Sequence, residues 1–162
     1  MARNVEIERK FLVKRLPAGW KSCPSSQLVQ GYFKMSGRAA EIRLRRKDAT
    51  HFITIKSGHA EQRVEVEIEI EKAQFDAIWP LTLAARIAKR RYRIPYAGHT
   101  IELDVYQGPH RGLQTADVEF KSVRACRAFQ PPDWLGREIS GSRRYANAVL
   151  ARSQSFPGKK DR

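Results

Sequence analysis

Cysteine is scarce in this 162-residue chain: Cys23 and Cys126 are its only two, far apart and without CxxC spacing. That excludes a disulfide framework, argues against a cysteine zinc site, and fits reduced thiols in a reducing compartment. The histidines, His51, His59, His99 and His110, show no metal-ligand spacing and read as surface or turn residues. Long apolar runs are missing as well. The N-terminal MARNVEIERKFLV carries neither a secretory core nor a membrane-spanning stretch, and no later segment supplies one. The expected address is therefore the cytoplasm, with no membrane partner. KSGHAEQ holds Lys56 and Gly58 but not the GxxxxGK[ST] order, which removes a phosphate-binding loop of that type. There is no internal repeat and no linker, so one domain is expected over residues 1–152, followed by a flexible tail, SQSFPGKKDR, over 153–162.

Negative charge is in short supply overall. Lysine and arginine number 31 against 17 aspartates and glutamates, a formal charge of +14. Such a balance calls for an anionic partner: nucleic acid, an acidic surface or a phosphate-rich small molecule. Composition does not choose among them.

What is abundant is alternation with a period of two. Val5, Ile7, Phe11 and Val13 share one strand face, interrupted only by Arg9, while Glu6, Glu8 and Lys10 share the other. QLVQGYFK is a weaker strand candidate. AEIRLRRK, HFITIK, RVEVEIEI, KRRYRI, TIELDVY and ADVEFK repeat the pattern with charge on one side, giving eight strand candidates. EKAQFDAIWPLTLA has helical spacing up to Pro80, a short helix is expected around Val123–Phe129, and a last one over Arg143–Arg152. Eight short-linked strands favour an antiparallel sheet that curls or closes. Helices covering its apolar outer face would leave the charged face lining a lumen, and another subunit covering it would make a homodimer.

With Glu41 set aside, the strand-face charges are nine cations and nine carboxylates, so the whole excess of +14 lies off this face. Same-face neighbours on a strand are about 6.5–7 Å apart, close enough for paired carboxylates to converge on a hard cation such as magnesium or manganese. A series of guanidinium and ammonium groups suits successive phosphates. Alone, a segment such as EIERK reads as a solvated face with cross-strand ion pairs, and RRYR reads equally as an RNA-binding patch. Seven charged strands together are harder to explain as solvated faces.

The ordered set ExExK (Glu6, Glu8, Lys10), QGYF, RxR (Arg43, Arg45), TIK, RVEVEIE, KRRYRI, IELDVY, DVEF, WLGREIS and RRYAN resembles the CYTH family, the triphosphate tunnel metalloenzymes, from residue 4 to about 150. The resemblance implies an α+β fold in which an eight-stranded antiparallel β-barrel forms a triphosphate tunnel with flanking helices. It implies a metal-dependent phosphohydrolase or cyclase acting on a triphosphate-bearing small molecule, with one or two Mg2+ or Mn2+ ions. Glu6, Glu8, Asp117 and Glu119 match the metal ligands. Lys10, Arg43, Arg45, Lys56, Lys89 and Arg91, with Arg63 at the head of RVEVEIE, match the phosphate grip. Glu65, Glu67, Glu102 and Asp104 match inward acids that bind metal, orient cations or position water. Lys10 is expected beside the scissile phosphate. Tyr32 is either near it or a buried structural tyrosine. Two departures stand out: Asp117 occupies a position where many relatives have glutamate, and EIS replaces EVT near Glu138.

Shared motifs of this kind report the triphosphate rather than its substituent. Inorganic tripolyphosphate is the expected substrate, cleaved to pyrophosphate and phosphate. Thiamine triphosphatase, adenylate cyclase and a non-catalytic polyphosphate or RNA binder are the alternatives, so nucleic acid is not excluded.

Overall fold

A computed structural model describes residues 7–34, 40–57 and 64–158. The alternating segments form strands β1 (Ile7–Val13), β2 (Ser25–Tyr32), β3 (Ala40–Lys47), β4 (Thr50–Ser57), β5 (Val64–Ile70), β6 (Arg86–Tyr96), β7 (His99–Tyr106) and β8 (Gln114–Phe120). A ninth, β9 (Leu135–Glu138), lies inside WLGREIS, where four residues are too few to display a period. All nine join one antiparallel sheet in the order β5-β4-β3-β2-β6-β7-β8-β1-β9. The ladder ends at β5 and β9, which do not pair among the described residues. Among the described residues the tunnel is thus a curled sheet rather than a hydrogen-bonded ring. Side chains from β1 through β8 nevertheless line one cavity.

Two apolar cores follow from the alternation. On the outside, Phe11 and Val13 of β1, Ile101 and Leu103 of β7, and Ala116, Val118 and Phe120 of β8 pack with Phe129, Trp134 and Leu135. Helix α2 (Val123–Ala128), capped by Ser122 Oγ accepting from the Ala125 N–H at 3.1 Å, leads into Phe129. The second core sits inside one end of the curl. Tyr32, Ile87 and Tyr106 there meet Ile139, Tyr145, Leu150, Ala151 and Phe156 of the C-terminal segment. Phe156, within the stretch expected as a flexible tail, is only 8 % exposed.

The mid-chain helix is α1 (Lys72–Ile78), opened by a reciprocal capping box between Glu71 and Gln74 and ended, as Pro80 requires, by a 3-10 turn over Trp79–Thr82. Phe75 stacks on Trp79 at 5.0 Å and meets His51 at 4.8 Å, and the Arg86 guanidinium lies 4.2 Å from the Trp79 ring. This turn approaches β2 so closely that a Cβ on Gly31 would lie 2.4 Å from Thr82 Oγ1, which explains the glycine. Cover by helices is incomplete, however: Val66 and Ile68 on the outer face of β5 are 45 % and 50 % exposed. The expected last helix is also shorter. A 3-10 turn (Arg143–Tyr145) and α3 (Asn147–Leu150) are separated by extended Ala146 at φ −67°, ψ 133°, which lets Tyr145 and Leu150 both reach the inner core.

Candidate active site

Strand register decides which charges meet. Arg43 on β3, Thr54 on β4 and Glu67 on β5 are cross-strand partners, and Glu41, Lys56 and Glu65 form the next row. Their side chains turn inward because Ile42, Leu44, Ile53, Ile55, Val66 and Ile68 occupy the other parity. Lys56 Nζ reaches Glu65 Oε2 at 2.7 Å, Arg43 Nη2 lies 3.5 Å from Glu67 Oε2, and Arg45 pairs with Glu67. Thr54 donates its hydroxyl to Glu67 Oε2 at 2.8 Å. Burial works against the charges on Glu67 and Arg45. The Thr54 hydroxyl, Arg45 and Arg43 outweigh it for Glu67, whose pKa lies below the usual glutamate value; burial and the neighbouring Arg43 lower that of Arg45.

The second half of the lumen is built on β6, β7, β8 and β1. Lys89 and Asp104, 1 % and 0 % exposed at their side chains, form an ion pair in the wall. Arg91 bridges three carboxylates: Asp104 through Nε at 2.7 Å and Nη2 at 2.8 Å, Asp117 at 3.2 Å, and Glu102. Lys10 Nζ lies 3.0 Å from Asp117 Oδ1. Burial opposes the charge on Lys10, yet the surrounding fields of Tyr106, Asp117 and Asp104 hold its pKa above the usual lysine value. For Lys89 burial prevails over Asp104 and lowers the pKa to about 8. Asp104 is held well below the usual carboxylate range by Lys89 and Arg91 despite its burial. Its oxygens are committed to orienting cations.

The acidic residues also confront each other. Glu8 is the register partner of Glu119, and Asp117 is that of Glu102. Like charges directly opposite on neighbouring strands are destabilising, and an all-oxygen donor set of this kind suits a hard divalent cation. These residues therefore fit a magnesium- or manganese-sized ion in donor chemistry. Among the described residues no three acidic, histidine or cysteine side chains already converge on one point. Glu6, the remaining expected ligand, and Arg63 of the expected grip lie outside the described residues.

Glu8, Lys10, Arg43, Arg45, Lys56, Glu65, Glu67, Lys89, Arg91, Glu102, Asp117 and Glu119 all line one cavity of about 850 Å3. A recess of about 350 Å3, lined by Tyr32, Glu41, Ser140, Ser142 and Arg143, adjoins it. Tyr32 accepts from Gln30 Nε2 at 3.0 Å, and burial pushes its pKa up to about 12, so the phenol remains protonated. Gln30, Thr54, Tyr106 and Asn147 belong to the site but carry no charge, so a pattern of charges does not reveal them.

Arg9, the one polar break in the apolar face of β1, proves to be a clamp. It grips Glu138 through Nε at 3.1 Å and Nη2 at 2.8 Å and donates through Nη1 to the Phe129 carbonyl at 3.1 Å. Ser140 donates to Glu138 Oε1 at 2.7 Å and accepts from the Lys10 N–H at 3.0 Å, so the clamp holds the backbone that carries Lys10. Hydrogen bonds from Arg9 and Ser140 keep the Glu138 pKa below its ordinary value. The unfolded state consequently binds more protons at acidic pH, and this stabilisation is present above the unfolded glutamate pKa and lost as pH falls through the folded one. Glu138→Gln is expected to melt a few degrees below wild type at neutral pH, about 1 kcal/mol once solvent screening of this partly exposed pair is counted. In strongly acid buffer the two proteins should melt together; a difference that persists there would refute the account.

A family model described as CYTH domain matches residues 4–139. The chain is 41% identical over 150 residues to an inorganic triphosphatase of Nitrosomonas europaea, covering 91% of this chain and 97% of the relative. It is 31% identical over 150 residues to an inorganic triphosphatase of Acetivibrio thermocellus, with 91% and 94% covered. The crystal structure of the inorganic triphosphatase NE1496 superposes with a TM-score of 0.73 at 41% identity, covering 92% of this chain and 95% of that one.

Proposed function

We propose that this chain, which belongs to the CYTH domain family, is a metal-dependent inorganic triphosphatase that cleaves tripolyphosphate to pyrophosphate and phosphate inside its lumen. The observation that carries this reading is the cation set: Lys10, Arg43, Arg45, Lys56, Lys89 and Arg91, from four strands, surround one cavity and are each held by carboxylates. Two relatives bearing that activity in their names, each matched over nearly its whole length, support the substrate.

In this mechanism Arg43, Arg45 and Lys56 bind one end of the triphosphate and Lys89 and Arg91 the other, with Lys10 beside the phosphoryl group that is transferred. Guanidinium and ammonium groups absorb the charge that moves to the leaving pyrophosphate. Glu65 and Glu67 hold these cations in place; the low proton affinity of Glu67 suits it to that role better than to accepting a proton from water. Glu8, Asp117 and Glu119, with Glu6 and flanking Glu102, would hold one or two Mg2+ or Mn2+ ions. A bound divalent ion supplies charge neutralisation and Lewis acidity toward phosphoryl oxygens. No described helix is long and apolar enough to cross a membrane. The two free cysteines fit a cytoplasmic address.

The test is phosphate release from tripolyphosphate, thiamine triphosphate and ATP, each with magnesium, manganese or chelator. Tripolyphosphate is expected to be preferred by at least ~100-fold in kcat/KM, since the described lining of the lumen is mostly ion-paired side chains, poorly matched to a base or thiazole. Release should vanish in chelator. Equal rates on all three substrates, or undiminished release in chelator, would overturn the proposal.

A further inference from the structure

The charged groups of the lumen share one property: each cation is already held by a carboxylate, so gripping a phosphate means exchanging partners. Asn147 differs. Among the described residues it is the one uncharged side chain that lines both the cavity and the adjoining recess. It sits just after extended Ala146, on a segment fixed by the buried side chains of Tyr145, Leu150 and Ala151.

Its orientation is set from below. Tyr106 shares the inward parity of Glu102 and Asp104 on β7 and is 2 % exposed, and its hydroxyl donates to Asn147 Oδ1 at 2.9 Å. The same hydroxyl lies 3.5 Å from Thr115 Oγ1, a far longer contact, so Asn147 is its main acceptor. Burial raises the Tyr106 pKa well above the ordinary tyrosine value, and the phenol therefore remains a donor at any working pH. An amide whose oxygen is engaged presents its nitrogen elsewhere. No described residue accepts from Asn147 Nδ2, and the side chain lines the cavity.

We propose that Asn147 donates from Nδ2 to a phosphoryl oxygen of the bound triphosphate, with Tyr106 as the positioning residue that keeps the amide turned that way. The inference rests on the triphosphatase reading and adds to it a neutral, pre-oriented donor from the C-terminal segment. A neutral donor suits the crowded side of the site, where another cation would have to be matched by another carboxylate.

Asn147→Asp tests it with almost no change of shape. The carboxylate still accepts from Tyr106 but replaces the donors with charge of the same sign as the phosphates. KM for tripolyphosphate is expected to rise at least ~10-fold, and Asn147→Ala to raise it by a smaller factor. Tyr106→Phe, which frees the amide to turn, should weaken binding in wild type and add nothing on top of Asn147→Ala. Calorimetric titration with tripolyphosphate in chelator reads the same contact without turnover. An inactive wild-type enzyme would thus sink the hydrolysis reading while the titration still judged Asn147. KM and Kd within about twofold of wild type for a folded Asn147→Asp, or for Asn147→Ala should the aspartate not fold, would overturn the inference; so would full additivity with Tyr106→Phe.

Discussion

Replacing Glu8 with glutamine is expected to remove roughly 10^3-fold or more of kcat/KM on tripolyphosphate while leaving the melting temperature, measured in chelator, no lower than that of wild type. The two halves of this result have one origin. Glu8 faces Glu119 directly across the β1–β8 ladder, and Asp117 faces Glu102 on the next pair of strands. Opposed carboxylates repel, so a neutral amide relieves the apo protein even as it withdraws an anionic oxygen from a divalent cation. Function and stability therefore move in opposite directions. The check is a pair of measurements on one preparation: steady-state kinetics across a magnesium series, and thermal melting with and without metal. Metal should raise the melting temperature of wild type by mass action and raise that of Glu8→Gln far less. A variant that melts well below wild type in chelator would show that Glu8 is a structural residue.

Asp104→Asn should produce the largest loss of stability of any substitution considered. The carboxylate is fully buried and accepts from both Lys89 and Arg91. Removing it strands a buried ammonium, and broken buried pairs cost about 3–5 kcal/mol. The pH dependence carries the sign. The folded pKa of Lys89, about 8, already lies below the usual lysine value because burial disfavours its charge. Between the folded and unfolded values the unfolded chain binds more protons, so this group's contribution to stability rises with pH. Without Asp104 the folded value falls further and the window opens at lower pH. Asp104→Asn is accordingly expected to be most damaged below neutrality and to recover part of its deficit in mildly alkaline buffer. Adding Lys89→Met to Asp104→Leu, which leaves neither charge, should restore most of the stability but not the activity. A deficit independent of pH in Asp104→Asn would mean that Lys89 does not carry the cost.

The inward charges were legible because β-strand geometry is strictly alternating: once Val64–Ile70 is a strand with its aliphatics on one face, Glu65 and Glu67 must share the other. Alternation alone thus puts the cation set and the carboxylate set on one wall. It could not show their pairing, since the register of β7 against β8, which sets Asp117 opposite Glu102, depends on residues far apart in the chain. Three features were hidden for related reasons. Strand β9 is too short to show periodicity. Arg9 reads as a flaw in an apolar face until Glu138, 129 residues away, closes on it. Tyr106 reads as the apolar end of a strand and Asn147 as one more position in a terminal helix; only the fold of the C-terminal segment into the curl brings them together.

The edge at β5, unpaired among the described residues, has a further consequence, one of colloidal behaviour. An exposed, unpaired strand with apolar residues such as Val66 and Ile68 on its outer face is a template on which a second chain could add itself, the first step toward aggregation. Glu65, Glu67 and Glu69 stand at alternate positions along that same strand, and another copy docking there would bring its own row of acids into register beside them. Glu65 and Glu67 of the phosphate grip, with Glu69 beyond them, would thereby also act as gatekeepers. Neutralising all three should make the protein prone to self-association at concentrations where wild type remains dispersed, through a route that has nothing to do with triphosphates.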